Sequence, residues 1–126
     1  MTTYSNFLTI SLLFLLALTA SAQTASENRS VRGYATVDKT APSISLHWDA
    51  SATNVSAYSI YRRTLGATSW GAVLVNLGPA DSTYTDADVT TTEVYEYSIE
   101  KMTDVTDPFR SGGAKVRGYS YIAASI

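Results

Sequence analysis

The sequence predicts an all-β protein, a seven-stranded antiparallel Greek-key sandwich of two facing sheets. Three observations carry this. From residue 31 onward apolar and polar residues alternate with period two, and no stretch sustains the period of an amphipathic helix. The same region is rich in Thr, Ser, Tyr and Val, whose β-branched and aromatic side chains suit a pleated, half-buried surface. Turn-forming stretches recur roughly every 8–12 residues, a spacing of short strands in a sandwich rather than of strand–helix–strand units.

The strands follow in order. Ile44, Leu46 and Trp48 share one face of the first clear strand, with Ser45 and His47 on the other. Tyr58 and Ile60 point inward from the next. Tyr95, Tyr97 and Ile99 do so from a third, and residues 118–123 form the last. Shorter candidates lie at 34–37, 72–75 and 82–86, separated by turn-rich stretches at 39–42, 49–54, 65–69, 78–81 and 104–113.

The 126 residues have room for one domain. There are no cysteines, so stability rests on an apolar core to which nine tyrosines and two tryptophans contribute. The formal charge of −2 is spread singly, and no basic run exceeds Arg62–Arg63. A nucleic-acid partner is therefore not expected, since phosphate neutralisation needs a basic stripe.

Residues 7–20 are an uncharged, mostly apolar run, shorter than the about 20 residues that span a bilayer. Ala20-Ser21-Ala22 follows, the small-x-small pattern that fits the narrow pockets of a signal peptidase, and the chain then turns polar. The reading is a signal peptide over 1–22 cleaved after Ala22, a polar linker over 23–30 and one domain over 31–126. The leader departs from the pattern in having no Lys or Arg before residue 7. It points to export from a bacterium, to the periplasm, cell surface or medium, with no membrane association after cleavage.

Five motifs in order now become specific. They are Ile44-x-Leu46-x-Trp48, Tyr58-x-Ile60-Tyr61-Arg62, Trp70, Thr83-x-Thr85-Asp86-x-Asp88-Val89 and Tyr95-x-Tyr97-x-Ile99. Together they resemble a fibronectin type III domain, an immunoglobulin-like sandwich, over nearly all of the mature chain. The resemblance implies that Trp48 is the core tryptophan of strand B and Tyr95 the tyrosine corner opening strand F. It departs from the family at the first strand, where Val31-Arg32-Gly33-Tyr34 replaces a proline-led start, and in a long connection from Thr103 to Lys115. Lys101 is expected at the edge of strand F with its ammonium in solvent.

Candidate chemistry is sparse. His47, the only histidine, alternates outward from Ile44, Leu46 and Trp48 and reads as a surface residue. Glu96 and Glu100 are four residues apart on one strand face, about 13 Å. That exceeds the roughly 5–9.5 Å of glycosidase carboxylate pairs. They read instead as cross-strand partners of Tyr61 and Arg63. Asp81, Asp86, Asp88, Asp104 and Asp107 fall short of a calcium loop in ligand number and spacing. Arg110-Ser111-Gly112-Gly113 lacks the Arg-Gly-Asp that some family members use on integrins. Phe109, beside Pro108, is expected to tuck against the end of the sandwich. Asn28 and Asn54 match the glycosylation acceptor pattern.

No catalytic, cofactor-binding or metal-binding residue is assigned. Two functions remain. One is a non-catalytic spacer or protein-interaction module, the N-terminal part of a larger exported protein, an expectation that rests on the chain's ending within a strand. The other is a free-standing secreted binder or adhesin that recognises a glycan or protein through the loops at 49–54 and 103–113, with Phe109 and Arg110 as loop contacts.

Overall fold

In the computed structural model, residues 27–50 and 52–126 are described; the leader, the cleavage site at Ala22 and the first half of the polar linker lie outside the described residues. Seven strands follow one another: β1 (Gly33–Asp38), β2 (Ser43–Trp48), β3 (Val55–Thr64), β4 (Val75–Leu77), β5 (Thr83–Asp86), β6 (Val94–Thr106) and β7 (Lys115–Ser125). They form two antiparallel sheets, β1-β2-β5 and β4-β3-β6-β7. The fourth strand therefore joins the sheet of β3, unlike an immunoglobulin constant domain, where it pairs beyond the fifth.

The core is made by alternation. Ile44, Leu46 and Trp48 of β2 face Tyr58 and Ile60 of β3 and Tyr95, Tyr97 and Ile99 of β6, and all eight are buried. Trp48 leans on Tyr58 with ring centroids 5.4 Å apart. The Tyr95 hydroxyl accepts a hydrogen bond from the Thr90 N–H at 3.0 Å, so the ring pins the connection that leads into its own strand. A charged pair also crosses between the sheets. Arg62, one step beyond Ile60 on the inner face of β3, donates to Asp86 of β5 at 2.8 Å, and the Tyr97 hydroxyl donates to the same carboxylate oxygen at 2.8 Å. Burial, then the Asp86 carboxylate, pushes the Tyr97 phenol far above its ordinary range.

Among the described residues, Trp48 Nε1 and the Tyr58 hydroxyl are the buried side-chain polar atoms without a partner in good hydrogen-bond geometry, although the indole N–H is near enough to act on the Tyr58 phenol. An orphaned hydroxyl costs about 1–3 kcal/mol, so Tyr58→Phe is expected to raise stability by about 1 kcal/mol. Chemical denaturation checks this, and a loss of stability would show that the hydroxyl has a partner in solution.

Several strand bounds differ from those read in the sequence. β4 begins at Val75 rather than 72, because Trp70 and Gly71 turn the chain back before pairing starts at Leu74 N–H to Ile60 O, 2.8 Å. β6 and β7 run on to Thr106 and from Lys115, past an irregularity between Met102 and Thr106. The connection therefore shrinks to residues 107–114.

Lys101 is a correction. It is 4% exposed, on the inward face shared with Tyr97 and Ile99. Its ammonium donates to the carbonyl oxygens of Glu27 and, at 2.7 Å, Ser30. Period two dictates the inward direction, and the segment before the first strand supplies acceptors where the apolar core ends. Residues 28–31 thus pack on the sandwich. Asn28 is buried, Ser30 pairs in parallel with Tyr119, and Val31 donates to Tyr119 O at 3.3 Å. Gly118 permits this close approach, since a Cβ there would sit 2.9 Å from both Asn28 O and Ser30 N.

Burial lowers the Lys101 pKa, against the opposing pull of Glu27 and Asp49. A folded-state lysine pKa below the unfolded value of 10.5 leaves the unfolded chain binding the extra proton in that window. Stability from this group therefore rises as pH climbs toward 10.5. Lys101→Met should remove that rise. The measurement is the wild-type minus variant difference in unfolding free energy from neutral pH upward; a flat difference would contradict the burial of this ammonium.

Candidate binding surface

The outer face of β3, β6 and β7 carries Tyr61 and Arg63, Glu96 and Glu100, and Arg117, Tyr119 and Tyr121. Their strands place them in rows: Tyr61 opposite Ser98 opposite Tyr121, Arg63 opposite Glu96 opposite Ala123, and Glu100 opposite Tyr119. Trp70 reaches this face from the connection between β3 and β4. Gly71 follows it at φ +68°, in the left-handed region that an ordinary side chain strains to enter, and this reverses the chain.

The result is a ladder. The Arg63 guanidinium carbon lies 4.3 Å from the Trp70 ring centre, at cation–π range. Trp70 stacks on Tyr121 at 5.8 Å and 23°, and Tyr121 lies parallel to Tyr119 at 6.3 Å. Tyr121 is 67% exposed and Tyr119 42%. A shallow depression runs beside them, lined by Arg63, Trp70, Glu96, Tyr121, Ile122 and Ala123.

The charges on this face are paired. Arg63 Nε donates to Glu96 at 2.9 Å, and Arg117 donates to Glu100. The Glu100 carboxylate holds the Arg117 guanidinium more firmly protonated than usual. Burial first, then Glu100, raises the Tyr61 phenol. Tyr61 and Glu100 therefore interact, but the register sets Glu100 against Tyr119 and Ser59, and its ion-pair partner comes from β7.

The other candidates read from the sequence fall elsewhere. His47 stacks on Tyr34 at 4.9 Å, and one ring nitrogen lies 3.2 Å from Thr36 Oγ1, on the outer face of the three-stranded sheet. Asp86 spends its carboxylate on Arg62, Tyr97 and the Asp88 N–H. Asp81 accepts from the Gly78 N–H at 2.7 Å. Asp107 accepts from the Phe109 N–H and from Arg29, each at 3.0 Å; the Phe109 amide is the main reason its carboxyl is held low. Among the described residues, no three His, Asp or Glu side chains converge as a metal site.

Phe109 corrects an expectation: it is 86% exposed. Asp107 ties down the Phe109 amide and turns the ring away from the sandwich, where the Arg29 guanidinium lies 5.6 Å from its centre. Arg110, also exposed, donates its amide to Asp107 O at 3.3 Å and acts on the Tyr119 phenol only as the weakest of several charges. Asn28 is buried and so screened as a glycosylation acceptor, whereas Asn54 is exposed.

The sandwich aligns with solved structures over about three quarters of the chain. A fibronectin type III-like protein from Clostridium thermocellum aligns over 76% of this chain and 91% of its own, with TM-score 0.53 and 16% identity. The fold is fibronectin type III-like. Pectate lyases from Pectobacterium carotovorum and Erwinia chrysanthemi, the latter in complex with tetragalacturonic acid, align at TM-scores 0.57 and 0.56, each at 16% identity. They cover 77% and 75% of this chain, but it spans only 27% and 28% of theirs. No family model and no curated protein matches the sequence. In this fibronectin type III-like frame the ladder lies on a sheet face, with Trp70 supplied by the connection between β3 and β4. A sequence signal for it existed: Tyr119 and Tyr121 alternate on the outward side of the last strand, and Trp70 has no place in the period-two pattern.

Proposed function

We infer that the chain is a non-catalytic interaction module of an exported protein, and that its working surface is the outer face of the four-stranded sheet. The observation that carries this is the ladder Arg63–Trp70–Tyr121–Tyr119, in which Tyr121 is largely open to solvent and Tyr119 partly so. Large, rigid aromatic rings with a neighbouring arginine are the side chains that dominate binding surfaces. The non-catalytic reading draws support from the surroundings of the titratable groups, for Glu96 and Glu100 are held in ion pairs. Export draws support from the apolar leader and Ala20-Ser21-Ala22. The module reading draws support from similar sandwiches that occupy about a quarter of longer pectate lyase chains.

The test compares two pairs of alanine variants of the mature protein on glycan and peptide arrays. Trp70→Ala and Tyr121→Ala are expected to abolish binding, while Phe109→Ala and Arg110→Ala leave it intact. Loss through the second pair, with retention by the first, moves the working surface to the loops. An array on which the wild-type protein binds nothing favours a spacer.

A further inference from the structure

The same face restricts the chemistry of what it takes. Beside the rings, four formal charges cancel in two cross-strand pairs, Arg63 with Glu96 and Arg117 with Glu100, while Lys115, farther along the same side of β7, donates to the Asp104 carbonyl and the Thr106 hydroxyl. A polyanion binds by neutralising its charges with free cations, and here both guanidiniums already have carboxylates. A protein interface of ordinary stability buries about 800 Å² per partner around a core depleted of charge. On this face the ion pairs stand among the rings, with Arg63 against Trp70 and Glu100 opposite Tyr119. Arg117, whose side chain is 47% exposed, would lose its remaining water under a protein partner.

What remains is a ligand with apolar C–H faces to lie against rings and many neutral hydroxyls to share with guanidinium and carboxylate edges. A sugar ring has both. Hydroxyls accept from the unused guanidinium N–H groups of Arg63 and Arg117 and donate to Glu96, whose side chain is 25% exposed, so neither ion pair has to break; the buried Glu100 holds Arg117 in place. The rings are not a single anchor. They step along the sheet from Trp70 to Tyr121 to Tyr119 at centroid separations of 5.8 and 6.3 Å, which offers successive contacts to an extended chain. Tyr61, in the row of Tyr121, adds a hydroxyl beside Glu100.

We propose that this face binds an uncharged, extended oligosaccharide, stacked along Trp70, Tyr121 and Tyr119 and hydrogen-bonded by the Arg63–Glu96 pair and by Arg117. The proposal rests on the reading of this face as the working surface.

The test is affinity gel electrophoresis of the mature protein in gels containing xylan, glucomannan or hydroxyethyl cellulose as neutral chains and polygalacturonate as the anionic one. At least one neutral polysaccharide should retard the protein, and the retardation should survive added salt because no counterions are released. Tyr121→Ala and Trp70→Ala should each weaken it by about tenfold or more. Tyr119→Phe, which keeps the ring, should not. Unchanged thermal midpoints in all three variants separate lost binding from lost folding. If no neutral polysaccharide retards the protein, the ligand class is wrong. If polygalacturonate alone does so, weakened by salt and by Tyr121→Ala, the face is the site and only the class fails. If a neutral chain still binds both alanine variants undiminished, the surface itself has been misplaced.

Discussion

Replacing Asp86 by alanine is expected to cost about 3 kcal/mol of unfolding free energy. Asp86 is 2% exposed and takes hydrogen bonds from Arg62 and from the Tyr97 hydroxyl, both at 2.8 Å. Its other oxygen accepts the Asp88 N–H at 3.0 Å, which shapes the turn after β5. Removing one partner of a buried pair strands the other, at about 3–5 kcal/mol. Arg62 keeps 22% side-chain exposure and still donates to the Asp88 carbonyl, with the Asp88 carboxylate 3.5 Å away, so the lower end applies. For a domain of this size that is a fall in Tm of roughly 12–24 °C. Tyr97→Phe removes one hydrogen bond and should cost only about 1 kcal/mol. The sharper comparison is Asp86→Leu with Arg62→Leu, which leaves no stranded charge and should recover most of the loss. Denaturant midpoints at constant m-value decide it; an Asp86→Ala variant within about 1 kcal/mol of wild type would mean that water already serves Arg62 and Tyr97.

Trp48→Ala should be as severe, at about 3–5 kcal/mol against a total stability of about 5–15 kcal/mol for a small domain. The indole is 5% exposed and leans on Tyr58 in a core with no disulfide to limit the unfolded chain. Trp48→Phe keeps an aromatic ring and forfeits at most the weak pull of the indole N–H on the Tyr58 phenol. It should lose about 1–2 kcal/mol through volume alone. Thermal unfolding followed by far-ultraviolet circular dichroism separates the two. If they destabilise equally, the loss comes from the indole nitrogen rather than from the cavity.

The arrangement of strands was legible because alternation is a local property. A residue's face follows from its neighbours two positions away, so Ile44, Leu46, Trp48, Tyr58, Ile60, Tyr95, Tyr97 and Ile99 declare an inward side without knowledge of the partner strand. The same rule, applied one step further, places Lys101 inward. Chemistry suggested solvent instead, because the acceptors that receive its ammonium lie more than seventy residues away, on Glu27 and Ser30. Phe109 misled in the opposite direction. Its neighbours Pro108 and Arg110 carry no sign that the Asp107 carboxylate captures its amide and turns the ring outward.

The candidate surface belongs to the second kind of information. Composition supplied the tyrosines, but Trp70 lies about fifty residues before Tyr119 and Tyr121 in the chain, and only the antiparallel register of β3, β6 and β7 sets them side by side. The pairing of Arg117 rather than Arg63 with Glu100 is likewise a product of register. By itself, then, the sequence determined an all-β sandwich, its inward faces and the absence of cysteine chemistry, since each is written in local period or composition. The tertiary structure alone decided which charges cancel, which aromatics stack and which face is left open, because those depend on contacts between residues far apart in the chain.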